Sequence, residues 1–394
     1  MGVARDDHST HHSGDDARPP RDGARMTTID PNREAPADSG GAAPQKGAAV
    51  PRVAVTPTNR VLRALSFRNI SAIYIFIALF IIFAILTPDT FLQPGVWRTL
   101  LDAQAITVLT ACAVLLPLIT GAFNLAIGAE VGLAGILVAM FMSSLGLPVP
   151  VAMLLTLAAG ALVGAISGLI ITKGKIDSFI ATLGISSILT AAIAWFSGGQ
   201  QILGLPTEFR IVSLSNVAGI TTPVIIMLVV AFAIWYVTER TPLGRRMYAS
   251  GFNKDAARLA GIDVARLQIG ALVAGGVVAA LAGILLSSRI NAGDPTLGPS
   301  MLLPALSAVF LGSTQFRGGR FNVWGTVIAV YVLAVGVKGL QLMGAPGWIN
   351  DLFNGVALLL AVGLSRMERT ARRTGAIRRA TTFGRGGREP RSTE

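Results

Sequence analysis

Hydrophobic positions in this chain fall in long unbroken runs. They do not follow the periodic spacing of a half-buried helix or the alternation of a strand. The runs predict ten apolar helices, at 71–86, 105–120, 124–144, 148–172, 178–197, 223–238, 267–288, 301–314, 323–343 and 348–364. Several approach the roughly 20 residues that span a bilayer. Residues 88–104 read as a loop with an interfacial turn near Trp97, and 198–222 as a polar loop. Gly160, Gly164 and Gly168 repeat at four-residue spacing in the fourth run. That small-residue ladder lets a second helix come close.

Between the sixth and seventh runs lies a polar, basic island, Glu239–Arg266. Within it, 253–261 predicts one short helix. Asn253 can cap its N-terminus, Asp255 suits the positive end of the dipole, and Gly261 stops it. Ala256, Ala257 and Ala260 give it a small-residue face for the groove of another protein. A plain polar loop is the competing reading.

Residues 1–65 are polar and rich in Gly, Ala and Pro, without periodicity. They predict a disordered cytoplasmic tail, and Met26 is a second candidate initiator. Residues 366–394 predict a basic cytoplasmic tail, leaving 66–365 as the membrane domain.

The whole sequence has 394 residues, 52% hydrophobic and 14% charged, with a mean hydropathy of +0.62. That composition excludes an ordinary soluble domain. The net charge of +12 is concentrated in the tails and a few loops beside the apolar runs. Retention on the cytoplasmic side explains it, and nucleic acid is not an expected partner. Lys173, Lys175, Arg240–Arg266, Arg317 and Arg320 fall on one set of loops; Arg98, Arg210 and Arg289 fall on the other. This bias predicts both termini inside.

Chemistry within the spans is sparse. Cys112 is the one cysteine, and His8, His11 and His12 all lie in the N-terminal tail. No metal site is expected. The chain contains no G-x-x-x-x-G-K-[ST] loop, HExxH motif or Gly-x-Ser-x-Gly elbow, so it is not expected to be an enzyme or to bind nucleotide itself. Two ionisable residues stand out in apolar surroundings, Glu130 and Lys338. Such a residue faces a cavity or a partner by default; solvation near the interface is the alternative for Glu130, and snorkelling for Lys338.

Two pairs of runs look alike. The second and third are joined by Thr120-Gly-Ala-Phe-Asn-Leu-Ala-Ile-Gly128, the eighth and ninth by Gly312-Ser-Thr-Gln-Phe-Arg-Gly-Gly-Arg-Phe-Asn322. Glycine-broken segments at corresponding places suggest an internal repeat.

The run G-R-R-M-Y-A-S-G-F-N-K-D-A-A-R-L-A-G-I, Gly244 to Ile262, resembles the coupling-helix signature of sugar-type ABC importer permeases, the family of bacterial ribose, xylose and galactose importers. The stretch 120–128 resembles that family's T-G-G-I-D-L-S-V-G, with Asn124 for the Asp and Ala126 for the Ser. Residues 176–184 resemble I-P-P-F-I-A-T-L-G, with Asp177 and Ser178 in place of the prolines. Ser197–Gln200, 282–289 and 311–320 match as well, and the likeness covers about 70–365.

The resemblance implies an all-α polytopic permease of about ten transmembrane helices in two inversely related halves, like the vitamin B12 importer. It implies monosaccharide import by alternating access. Gly251, Asn253, Ala256, Ala257, Arg258 and Gly261 become the expected contacts to a cytoplasmic ABC ATPase. Asn124, Glu130, Phe179 and Thr182 become candidates along the substrate path. For Thr182, a bond back to its own helix is the plainer role. Expected partners are that ATPase, which would hold ATP-Mg, an external sugar-binding protein, a second permease subunit, and membrane lipid. No cofactor is expected on this chain. An ion-coupled secondary transporter or channel is the alternative; an intramembrane enzyme is less well supported.

Overall fold

A computed structural model describes residues 71–217, 219–315 and 319–363. The tails expected at 1–65 and 366–394 lie outside the described residues, as does Arg317. The apolar runs become helices because a backbone in hydrocarbon must satisfy its N–H and C=O groups within its own segment.

In chain order these are α1 (Ser71–Leu86), α2 (Pro88–Phe91), α3 (Pro94–Ile119), α4 (Ile127–Ser143), α5 (Val149–Thr172) and α6 (Ser178–Ser197). The short α7 (Thr207–Leu214) and a two-stranded hairpin, β1 (Asn216–Val217) and β2 (Ile220–Thr221), follow. Next come α8 (Thr222–Arg240), α9 (Pro242–Phe252), α10 (Lys254–Leu259), α11 (Val264–Ile290), α12 (Leu297–Ser300), α13 (Leu302–Gln315) and α14 (Val323–Leu342). A last helix, α15, runs over Ile349–Gly363. Among the described residues, seven helical segments are long and apolar enough to cross a membrane, and three shorter apolar helices accompany them. The chain is an all-α polytopic membrane protein.

Several boundaries differ from the sequence reading. α3 begins at Pro94, not at 105. Pro94 starts it, since proline in the first turn forgoes an N–H that has no helical partner anyway. Its first turns mix Arg98, Asp102 and Gln104 with apolar residues, so hydropathy alone placed the start too late. Trp97 lies in this helix; its indole N–H donates to the Phe91 carbonyl at 2.8 Å. Its ring meets Phe91 edge-on and lies tilted against Phe80. α4 begins at Ile127 instead of 124. The expected polar loop at 198–222 contains α7, whose buried Phe209 and Ser213 pin it to the bundle. The Ser213 hydroxyl donates to the Leu285 carbonyl at 3.0 Å. The Ser288 hydroxyl donates to the Phe209 carbonyl at 2.6 Å.

α11 is the central helix and packs on α3, α4 and α5. Glycines make this possible on three sides. A Cβ at Gly164 of α5 would collide with the Leu272 carbonyl, and one at Gly276 with the Gly160 carbonyl. A Cβ at Gly283 would strike the Val131 carbonyl of α4, and one at Gly275 would lie 2.9 Å from the Ala113 carbonyl of α3. Ala113 is four residues before Pro117, so its carbonyl has lost its helical N–H partner. The ladder read from the sequence is thus a backbone-to-backbone seam, of the kind that van der Waals packing uses between helices in lipid.

Candidate functional site

The basic island folds into two helices, not one. Thr241 caps α9, its hydroxyl accepting from the Gly244 N–H at 3.4 Å, and Pro242 occupies the first turn. A side chain at Gly244 would run into the Thr238 carbonyl, so the tight turn out of α8 needs glycine there. α9 turns Met247, Tyr248 and Ser250 inward.

Those inward residues reach both glycine-broken turns. The Ser250 hydroxyl donates to the Thr120 carbonyl at 3.3 Å. Gly251 lies so close to α3 that a Cβ would overlap the Ile119 carbonyl. The Tyr248 hydroxyl donates to the Phe321 carbonyl at 2.6 Å. The Arg320 guanidinium lies over the Tyr248 ring, 3.9 Å from its centre. Such a cation–π contact contributes about 0.5–2 kcal/mol. One helix therefore touches the break between α3 and α4 and the break before α14.

α10 follows directly. The Asn253 side-chain oxygen accepts from the Asp255 and Ala256 N–H groups, both at 3.0 Å. Gly261 closes the helix with φ of +77°, a conformation that glycine adopts without steric cost. Of the three small residues expected to face a partner, Ala256 and Ala260 are exposed and Ala257 alone turns inward. Ala257 is only 4% exposed and packs within the chain, whereas Leu259 is 91% and Phe252 74% exposed. Gly251, Asn253, Ala256, Arg258 and Gly261 are exposed. Arg258 pairs with Asp255 at 3.5 Å, both side chains largely in the open, so the pair adds little stability.

The second group of expected residues clusters at the break between α3 and α4. Gly121 has φ of +78° and ends α3's course. The Asn124 side-chain oxygen accepts from the Ala126 N–H at 2.9 Å. Its amide donates to Glu130 Oε1 at 3.1 Å. Both side chains are buried, Glu130 at 3% exposure. Glu130 Oε2 has no hydrogen-bond partner among the described residues. It borders a void of about 10 Å³, room for about one water molecule.

Thr182 is completely buried. Its hydroxyl accepts from the Leu125 N–H at 3.1 Å and donates to the Ser178 carbonyl at 2.7 Å. The Ser178 hydroxyl accepts from the Phe123 N–H at 3.1 Å. α6 thus holds the unwound segment by two of its backbone N–H groups. In this structure the Thr182 hydroxyl positions backbone, bonding both to its own helix and to the unwound segment. Phe179 is 50% exposed on α6 and is not part of that cluster.

The break before α14 is built on the same plan. Asn322 caps α14, its side-chain oxygen accepting from the Gly325 N–H at 2.6 Å. Its amide donates to the Arg320 carbonyl at 3.1 Å. Asn124 and Asn322 thus each fold a carboxamide back onto the start of the next helix. The sequence reading missed α9 and its Tyr248–Arg320 contact. Thr241-Pro242 before an apolar-spaced Leu243, Met247 and Tyr248 was the available signal for that helix.

Residues 98–362 match the family model described as the branched-chain amino acid transport system / permease component. The ribose import permease protein of Bacillus subtilis (strain 168) is 37% identical over 292 residues, 74% of this chain and 90% of that protein. The ribose import permease protein of Escherichia coli (strain K12) is 34% identical over 295 residues, 73% and 91% of the two chains. The D-allose transport system permease protein of the same strain is 28% identical over 304 residues, 77% and 93%. No solved structure matches. These matches show that the chain belongs to the permease-component family of ABC importers, on the branch that holds the sugar permeases.

Proposed function

We propose that this chain is the membrane subunit through which a monosaccharide, a pentose or hexose, enters the cell by alternating access. The likeness to the ribose permease over nine-tenths of that protein's length carries this reading. A cytoplasmic ABC ATPase, which holds ATP-Mg, receives α10. An external sugar-binding protein docks at the opposite end, and a second permease subunit, a copy of this chain, completes the pathway. Both termini face the cytoplasm in this arrangement, which the Lys and Arg loop bias supports.

Phe252, the last residue of α9, and Leu259 of α10 are exposed apolar side chains and supply the surface offered to the ATPase in this reading. The chain's own contacts explain how a push there reaches the membrane. α10 is joined to α9 through the single residue Asn253, and α9 is bonded to both breaks. Nucleotide-driven closure of the ATPases would bias a packing equilibrium that the two breaks already permit.

The test is capture of the ATPase by the solubilised chain, together with ribose uptake by the reconstituted transporter. Leu259→Glu should weaken capture at least about tenfold, or ~1.4 kcal/mol, with the fold intact. Ala257→Glu should lower the thermal stability of the chain itself, because it puts a charge where the chain is packed. Equal capture by Leu259→Glu and wild type would remove α10 as the docking element. Ribose uptake that persists without ATP and stops with a protonophore would instead favour an ion-coupled carrier, in which the buried Glu130 would be the group to examine.

A further inference from the structure

The end of the bundle away from α10 holds a feature that neither the coupling site nor the broken turns explain. α11 runs 27 residues from its start beside α10, about 40 Å. Near its far end Arg289 pairs with Asp102 at 3.0 Å. That pair places the first turns of α3 at the far end too. There α3, α13, α14 and α15 enclose a cavity of about 380 Å³. Its volume falls in the range of small-molecule sites, about 300–1,000 Å³.

A cluster of polar side chains interrupts the otherwise apolar lining. Ser300 and Asp351 stand exposed at its rim, and Asn354 is buried. Gln104, Lys338, Gln341 and Asn350 lie at intermediate depth. Among the described residues Lys338 enters no ion pair. The amides are held in place by one another. Gln341 donates to the Asn350 side-chain oxygen at 3.1 Å, and the Asn354 amide donates to the Asn350 carbonyl at 2.8 Å. These bonds fix the side chains and leave Gln341 Oε1, Asn350 Nδ2 and Asn354 Oδ1 without partners among the described residues.

Polar groups held in a cavity among spanning helices need a function or a partner. The set decides what the partner is. Lys338 only donates, Asp351 only accepts, and the amides do both. A hydroxyl likewise both donates and accepts. An anion or a cation would leave one of the two charged groups facing its own sign, and a zwitterionic amino acid would match both charges but bring no hydroxyls to the Gln104, Gln341, Asn350 and Asn354 amides. An apolar molecule would leave all of them unpaired, at about 1–3 kcal/mol each. Leu333 and Val337 add an apolar strip to the same wall, suited to the C–H face of a ring. We infer that this cavity is a binding site for a neutral polyhydroxylated molecule of monosaccharide size, with Lys338 and Asp351 as its specificity-determining pair. The inference rests on the sugar-importer reading only for the choice of probe.

The chain's single cysteine, Cys112, is buried, which allows a direct test. In full-length Cys112→Ala carrying Ser300→Cys, solubilised in detergent, the thiol at the rim is titrated with a small charged methanethiosulfonate. D-ribose, D-allose and D-fructose are compared with sodium acetate, choline chloride and zwitterionic L-leucine at equal concentration. At least one sugar should slow labelling by about threefold or more, as two-thirds occupancy demands, and neither the salts nor leucine should do so. Lys338→Met or Asp351→Asn should abolish the protection while the unfolding temperature stays at the parent's. If Lys338→Met does not fold, Asp351→Asn at the exposed rim carries the comparison. Labelling that no sugar slows, that the salts or leucine slow equally, or that stays protected in the folded variants would overturn the site. Uptake by the complete transporter is a separate readout. Protection without ATP-driven uptake would sink the importer reading and leave the site standing; uptake without protection would do the reverse.

Discussion

At the scale of single residues, the polar side chains mostly fix backbone that the helices cannot. Asn124, Ser178 and Thr182 serve the unwound stretch after Gly121, and Asn322 serves the turn before α14. Asp294 does similar work in the loop after α11. Burial would raise its pKa, but hydrogen bonds from the Thr296 hydroxyl and N–H, the Gln201 amide and the Leu297 N–H outweigh that and hold it below the usual 3.8. The Gln201–Asp294 bond flanks the paired backbone of Ile202 and Gly293, whose two hydrogen bonds are 2.9 Å each. The sign follows from the depressed value. The stabilisation is fully present above the unfolded-state pKa and is lost as pH falls through the lower folded-state pKa. Amide exchange at Ile202 and Gly293, corrected for intrinsic rates, should therefore lose protection only at acid pH. Asp294→Asn should remove that pH dependence.

At the scale of elements, glycine placement separates packing from mere presence. Gly164 meets the Leu272 carbonyl, whereas a Cβ at Gly184 of α6 would meet nothing within 4 Å. The same substitution should have opposite effects. Gly164→Ala should destabilise the chain by about 1–3 kcal/mol through overpacking. Gly184→Ala should be neutral or stabilising by up to ~1 kcal/mol, the helix-propensity gain. Thermal unfolding of the two variants in one detergent checks both signs.

Most elements were legible because lipid-facing helices must be continuously apolar, and the signatures at 120–128, 176–184 and 244–262 pointed to the family. α7 and α9 were not, since each buries only a few side chains on one face and shows solvent a polar sequence. The inward turn of Ala257 was hidden for a related reason: a six-residue helix has too few positions to reveal which face is packed. The Gln104, Lys338 and Asp351 cavity was beyond reach because its walls come from helices separated by some two hundred residues.

At the scale of the whole molecule, α9 ties two distant breaks together. Tyr248→Phe removes one hydrogen bond while keeping the ring under Arg320, and should lower stability by about 1 kcal/mol. Arg320→Met should remove the cation–π contact. Unfolding free energies of the singles and the double variant should show a coupling of about 0.5 kcal/mol or more, as neighbours in one network do. In reconstituted transporter the same variants should slow sugar uptake more than they reduce ATPase capture. Additive stabilities and unchanged uptake would mean that α9 merely rests against the break before α14.

The seam between α5 and α11 has a further consequence. Gly160, Gly164 and Gly276 bring main chain against main chain, so few rotamers lie between the helices to be released when they part. Loosening such a contact gains little side-chain entropy and forfeits its dispersion contacts at once. It therefore has no graded, partly melted intermediate state. The two helices should move as one unit, with any change in the bundle's opening taken up in torsion elsewhere, at joints such as the one after Ile119.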